Sequence, residues 1–245
     1  MRLSVSRIFQ VPQMFRPIVA TAMANTVGHL NLERPGRGLM ALAYWASFAR
    51  WCRMHPVTLT VQGRGNLRGW LHDAVIRKEG LDTDPITYLE FGVYRGESLR
   101  WWLDRVPLPE SRFVGFDTFT GLPEWWRATE PKGHFNADGK TPDIADPRCS
   151  FAVGLFQDTL PAFVRDHDLS GRLVINFDAD MFTSTLFVLT TLSDVLKAGD
   201  ILFFDEFSCP LDEYRAFDEF VRAYRVKYEV LGAVQGYTRV GIKIL

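Results

Sequence analysis

Apolar and polar positions follow two different rhythms on either side of residue 80. Up to that point apolar residues return at helical spacing. "GLMALAYWASFARWCRM" (38–54) predicts a helix closed by His55-Pro56. "NLRGWLHDAVIRKEGL" (66–81) predicts a second, amphipathic helix ended near Gly80. "VTLTVQ" (57–62) alternates and reads as a short strand or a loop. From residue 86 onward, short apolar runs alternate with helical stretches. Strands are predicted at 86–92, 112–117, 149–154, 172–178 and 200–207. Helices are predicted at 96–106, 159–167, 183–199 and 212–226, before a closing pair of strands in "YEVLGAV" and "TRVGIKIL".

Strand–helix alternation of this kind predicts an α/β fold, a doubly wound and mostly parallel sheet with right-handed crossovers. Nearly all strand interiors are apolar, as a sheet covered on both faces requires. The expected division is a helical N-terminal extension over 1–80 and a sheet domain over 81–245. Residues 123–150, rich in Pro, Gly and charge, are too long for a plain connection and read as a lid or binding loop.

Charge changes the picture because it is unevenly spread. Through Trp70 there are nine arginines, no lysine and one acid, Glu33. A basic head thus precedes an acidic body. The acidic body argues against nucleic acid as a partner, since phosphate binding needs clustered Lys and Arg. The head permits weak membrane-surface contact or targeting, or else a helical arm packing on the body or on a second subunit of a homo-oligomer. No run reaches the roughly 18–20 apolar residues of a membrane span. Cys52, Cys149 and Cys209 lie far apart and read as reduced thiols, so a cytoplasmic protein is expected.

In such sheets ligands bind beyond the carboxyl ends of the strands. The first strand ends in "EFGVYRGES" (90–98), with Glu90 before a turn through Gly92 and Gly96. This is not the G-x-G-x-x-G of dinucleotide enzymes. An acid beside a glycine turn suits a cationic ligand, such as the amino group of S-adenosylmethionine; a purely structural turn is the alternative. The second strand ends at Asp117, placed to accept ribose hydroxyls or to cap a turn, with Phe119 able to cover an adenine. The later ends, "NFDADMF" and "FFDEF", bring Asp178, Asp180, Asp205 and Glu206 toward one region. Such negative charge would be offset by a hard divalent cation, Mg²⁺, Mn²⁺ or Ca²⁺ rather than zinc. Helix capping over 183–199 is the competing reading of Asp178 and Asp180. In the long loop, His134 is a second candidate base or a solvated histidine, and Trp125 and Trp126 stack on a sugar or pin the loop.

Together "LEFGVYRGES", "VGFDTFTGLPEWW", "GLFQDTLP", "NFDADMFTST" and "GDILFFDEF" resemble the macrocin O-methyltransferase family over about residues 86–226. The resemblance implies a Rossmann-like class I methyltransferase fold and a metal-dependent transfer from S-adenosylmethionine to a hydroxyl of a sugar or glycosylated small molecule. It implies that Glu90, Gly92, Val93, Tyr94 and Gly96 line the methionine and ribose part of the cofactor. It assigns Asp117, Thr118 and Phe119 to ribose and adenine, Asp178, Asp205 and Glu206 to the metal, and Asp180 to proton removal. Phe182 and Thr183 stand where the family usually has Tyr, often followed by Glu, and Asp205–Glu206 replaces a pair of aspartates. The alternatives are a nicotinamide-dependent sugar oxidoreductase and a non-catalytic S-adenosylmethionine-binding or membrane-surface protein.

Overall fold

The computed structural model describes residues 33–57, 59–61, 66–127 and 129–245. Residues 1–32 of the basic head, for which targeting or surface contact was one reading, lie outside them. The elements are α1 (Glu33–Met54), β1 (Thr60–Val61), α2 (Leu67–Glu79), β2 (Ile86–Phe91), α3 (Glu97–Arg105) and β3 (Arg112–Asp117). After the long loop come β4 (Cys149–Val153), α4 (Phe156–Asp166), β5 (Arg172–Phe177), α5 (Phe182–Thr191), β6 (Ile201–Phe204), α6 (Glu213–Tyr224), β7 (Tyr228–Val234) and β8 (Val240–Ile244). Among the described residues they build an eight-stranded sheet in the order β1-β7-β8-β6-β5-β2-β3-β4. Only β8 runs antiparallel to its neighbours. The expected α/β architecture, a doubly wound and mostly parallel sheet, is present.

Chain order reverses at the β2/β5 pair, the switch point where such sheets open a ligand crevice. Register fixes what stands there. Phe116, Phe91, Phe177 and Phe204 pair across β3, β2, β5 and β6. Their rings stack at 4.7, 6.0 and 4.7 Å between centroids. Each is followed by a residue of the crevice: Asp117, Gly92, Asp178 and Asp205. An aromatic ladder therefore floors one end of the sheet, and the next residue of every strand emerges at its carboxyl edge.

Helices cover both faces. One face carries the ladder, α4 to α6, and Phe48 and Trp51 of α1. The other buries Leu71, Val75 and Ile76 of α2 with Leu99 and Trp102 of α3. The chain forms two compact units, residues 1–43 and 44–245. Trp51 and α2 thus belong to the same body as the sheet. Asn66 caps α2 through the Gly69 N–H at 2.8 Å, and Gly80 ends it in left-handed backbone (φ 64°). The helix expected over 183–199 stops at Thr191. There Thr190 and Ser193 hydroxyls donate to carbonyls of the preceding turn, which competes with further helix.

Candidate active site

At the switch point a cavity of about 780 Å³ opens over the ends of β2, β3, β5 and β6. Its size suits a small-molecule ligand. Glu90, Gly92, Val93, Tyr94, Asp117, Thr118, Asp178, Asp180, Asp205 and Glu206, all expected from the sequence, line it. Three expected residues do not. Phe119 is fully buried against Phe151, so it packs the core and leaves no face for an adenine. Gly96 is filled from the loop side, where a Cβ would meet Pro142 at 2.8 Å. His134 packs edge-on against Phe135 at 4.3 Å, and it is Phe135 that reaches the cavity.

Gly92 has φ 92°, and a Cβ there would lie 2.0 Å from the Asp178 carbonyl oxygen. The glycine serves the close approach of β2 and β5 more than that of a ligand. Asp117 accepts from the Val93 and Tyr94 N–H groups and from its own neighbour Phe119, each at 2.8 Å. Three of about four acceptor positions are thereby used to hold the turn, which leaves one for a hydroxyl. Glu90 is buried and accepts the Tyr88 hydroxyl at 2.5 Å. Burial, with the nearby Asp178 charge, pushes its carboxyl up to about 8 against the pull of that hydroxyl.

Asp180 sits in left-handed backbone (φ 61°), an arrangement rare outside glycine and frequent at functional sites. Burial and the charges of Asp178, Glu206 and Asp205 push its carboxyl up to about 8. Neither aspartate caps α5, whose preceding residue Met181 is extended and makes no side-chain cap. The capping alternative is thereby removed.

Cations, all missed in the sequence, answer these acids. Arg68, in the first turn of α2, donates to Asp178 at 2.9 Å and to Asp205 at 2.5 Å. Arg239 donates to both oxygens of Asp205, at 2.5 and 3.2 Å. Burial works to raise the Asp205 carboxyl, but the two guanidiniums outweigh it and hold it low. Asp178 accepts from Arg68 alone of the two, and burial with the Asp205 charge pushes its carboxyl up. Arg127 of the long loop lies 3.5 Å from Glu206 and stacks on Trp126 at 3.6 Å. Buried Glu213 accepts the Glu206 N–H at 2.8 Å and fixes that strand end from below. The one local hint to Arg68 was its place: a cation opposes the dipole at a helix N-terminus unless acids hold it there.

A Mg²⁺ ion needs near-octahedral oxygen ligands at close range. Here both oxygens of Asp205 and one of Asp178 already accept from arginines, and Glu206 lies 3.5 Å from the Arg127 guanidinium. Among the described residues no three His, Cys, Asp or Glu side chains are grouped to hold a metal ion. The expected metal set of Asp178, Asp205 and Glu206 therefore does not fit this arrangement.

The long loop lines the cavity with Gly121, Leu122, Pro123, Glu124, Trp126 and Phe135, as a binding loop should. It is fastened to the body at Thr183, which donates to Glu124 at 2.8 Å. The preceding Phe182 instead stacks under Arg215 at 3.8 Å, within the body. Trp125 is exposed and only Trp126 faces the cavity.

Residues 89–207 match the family model of a methyltransferase domain. That stretch spans the ends of β2, β3, β5 and β6. No curated protein matches the chain. Among solved structures it is similar to the calicheamicin methyltransferase CalS11, at 22% identity and TM-score 0.57 over 74% of this chain and 80% of that one. It is similar to the O-methyltransferase NovP at 21% and 0.55, over 71% and 79%. It is also similar to a Mg-SAM form of cmcI at 18% and 0.50, over 74% and 72%. These likenesses bear out the fold, and the domain match bears out the methyltransferase class. Among the described residues no helix is long and apolar enough to cross a membrane.

Proposed function

We propose that the chain transfers the methyl of S-adenosylmethionine to a hydroxyl of a sugar or glycosylated small molecule. One observation carries this reading: a raised-pKa aspartate in left-handed backbone, Asp180, lines the same cavity as the Glu90–Tyr94 turn. The cavity fits the methyl donor, with the Glu90 carboxylate for its amino group and the free acceptor position of Asp117 for a ribose hydroxyl. S-adenosylmethionine supplies a methyl already activated on a sulfonium.

The chain's own task is alignment and proton removal. As the carbon–oxygen bond forms and the carbon–sulfur bond breaks, the hydroxyl proton passes to the Asp180 carboxylate and the sulfur leaves as a neutral thioether. Trp126 gives the cavity an aromatic surface of the kind sugars stack on, while Phe135 packs beside Tyr94 on the cofactor turn. CalS11, described as a TDP-rhamnose 3′-O-methyltransferase, supports a glycosyl acceptor.

Thermal-shift measurement with S-adenosylhomocysteine and with NADH tests the cofactor. Stabilisation by the former is expected, and stabilisation by NADH alone would reinstate the oxidoreductase. Mass spectrometry across nucleotide sugars and glycosides should then find one added methyl, on oxygen.

A further inference from the structure

Four acids crowd the crevice, and the protein itself supplies the opposing charge. Arg68 spans Asp178 and Asp205 with two nitrogens of one planar fork. Arg239 takes the remaining oxygen of Asp205. Two carboxylates thus meet two guanidiniums and are neutral as a group. Guanidinium cannot lose its proton, so its positive charge persists at the site, whereas a lysine's can be lost. A divalent ion entering here would displace charge-assisted hydrogen bonds and face two cations at contact distance. Arg68 lines the cavity beside Glu90 and Asp178 and is therefore in place to act on what binds there. It comes from α2, outside the matched methyltransferase domain at residues 89–207.

We infer that methyl transfer in this protein runs without a divalent metal, with the Arg68 guanidinium, braced by Arg239, as the fixed cation of the site. Arg68 is a positioning residue: it holds the strand-end carboxylates in one geometry, which sets Asp180 against the acceptor hydroxyl. The chemistry rests on the O-methyltransferase reading above, while the cation claim is measured without it.

The test starts with the unmodified full chain. Manganese(II) titration followed by electron paramagnetic resonance should show no tightly bound ion. Methyl transfer should change less than about twofold in excess EDTA. One tight Mn²⁺ per chain, or activity abolished by EDTA and restored by Mg²⁺, would overturn the inference. If no acceptor is methylated and S-adenosylhomocysteine does not bind, the functional reading fails, and the manganese titration still decides the cation claim.

Arg68→Gln adds a second readout. Turnover should fall about 100-fold through misplacement of the site, with S-adenosylhomocysteine affinity kept within about threefold. The freed carboxylates should then bind Mn²⁺. Folded R68Q with unchanged turnover would sink the idea. Should R68Q fail to fold, Arg68→Lys keeps the charge but loses the fork. It should fold, turn over more slowly and still bind no Mn²⁺; unchanged turnover in R68K would count against the role of the fork.

Discussion

Asp180 combines a backbone that most side chains avoid with a carboxyl whose proton affinity is raised to about 8. Asn tolerates the same left-handed backbone, so Asp180→Asn should fold as the parent does. Loss of the proton acceptor should lower turnover by about 10²–10⁴-fold while S-adenosylhomocysteine binding, read by calorimetry, stays within about threefold. Equal losses in both would make Asp180 a structural residue. Glu90 yields a prediction about stability. Its ordinary carboxyl near 4.3 rises to about 8 on folding, so the folded state holds the proton more tightly. The stability this gives is complete below about pH 4 and is lost as pH rises through about 8. Glu90→Gln should therefore gain melting temperature over the parent as pH goes from 5.5 to 8.5. A constant difference across that range would show that Glu90 does not titrate there.

The strand ends are the elements on which the site is built, and they were legible. "EFG", "GFD", "NFD" and "FFD" each place a phenylalanine in the ladder and a chemical residue one step beyond it. Apolar strand runs and a switch-point sheet are enough to find Glu90, Asp117, Asp178 and Asp205. What they hide is how close the strands come. At Gly92 a methyl would collide with the Asp178 carbonyl, in a backbone that already disfavours side chains. Gly92→Ala should cost more than about 3 kcal/mol in urea unfolding; a cost under 1 kcal/mol would mean that β2 and β5 can part there. Helix ends were less legible, because the bonds of Thr190 and Ser193 to the backbone decide where α5 stops. The tie from Thr183 to Glu124 also had no local sign, since it joins residues 59 positions apart. Its loss in Thr183→Val should raise KM for the acceptor several-fold with less effect on S-adenosylmethionine, as loosening of an acceptor-side loop predicts. Equal changes in both constants would place the loop over the cofactor as well.

At the scale of the whole molecule, the uneven charge acquires a meaning that composition alone could not give. The basic stretch ends at Arg68, and that arginine closes on acids 110 and 137 positions later. Nothing near Arg68 in sequence says which acids it will meet, so a site completed from a distant helix is invisible to motif reading. The same long reach bears on the expected division at residue 80. Phe48 and Trp51 lie in the core cluster under β6, and Leu71, Val75 and Ile76 fill the opposite face of the sheet. Trp51 also donates its indole N–H to the Tyr228 hydroxyl of β7 at 2.8 Å. Removing large buried apolar residues costs about 2–5 kcal/mol each, against a total stability of about 5–15 kcal/mol. A chain of residues 81–245 should therefore fail to show a cooperative thermal transition by circular dichroism, while the full chain shows one. A cooperative transition in the shortened chain within about 5 °C of the parent would make the first 80 residues an appendage; its absence makes α2 part of the enzyme body, as a helix that carries a cation of the site must be.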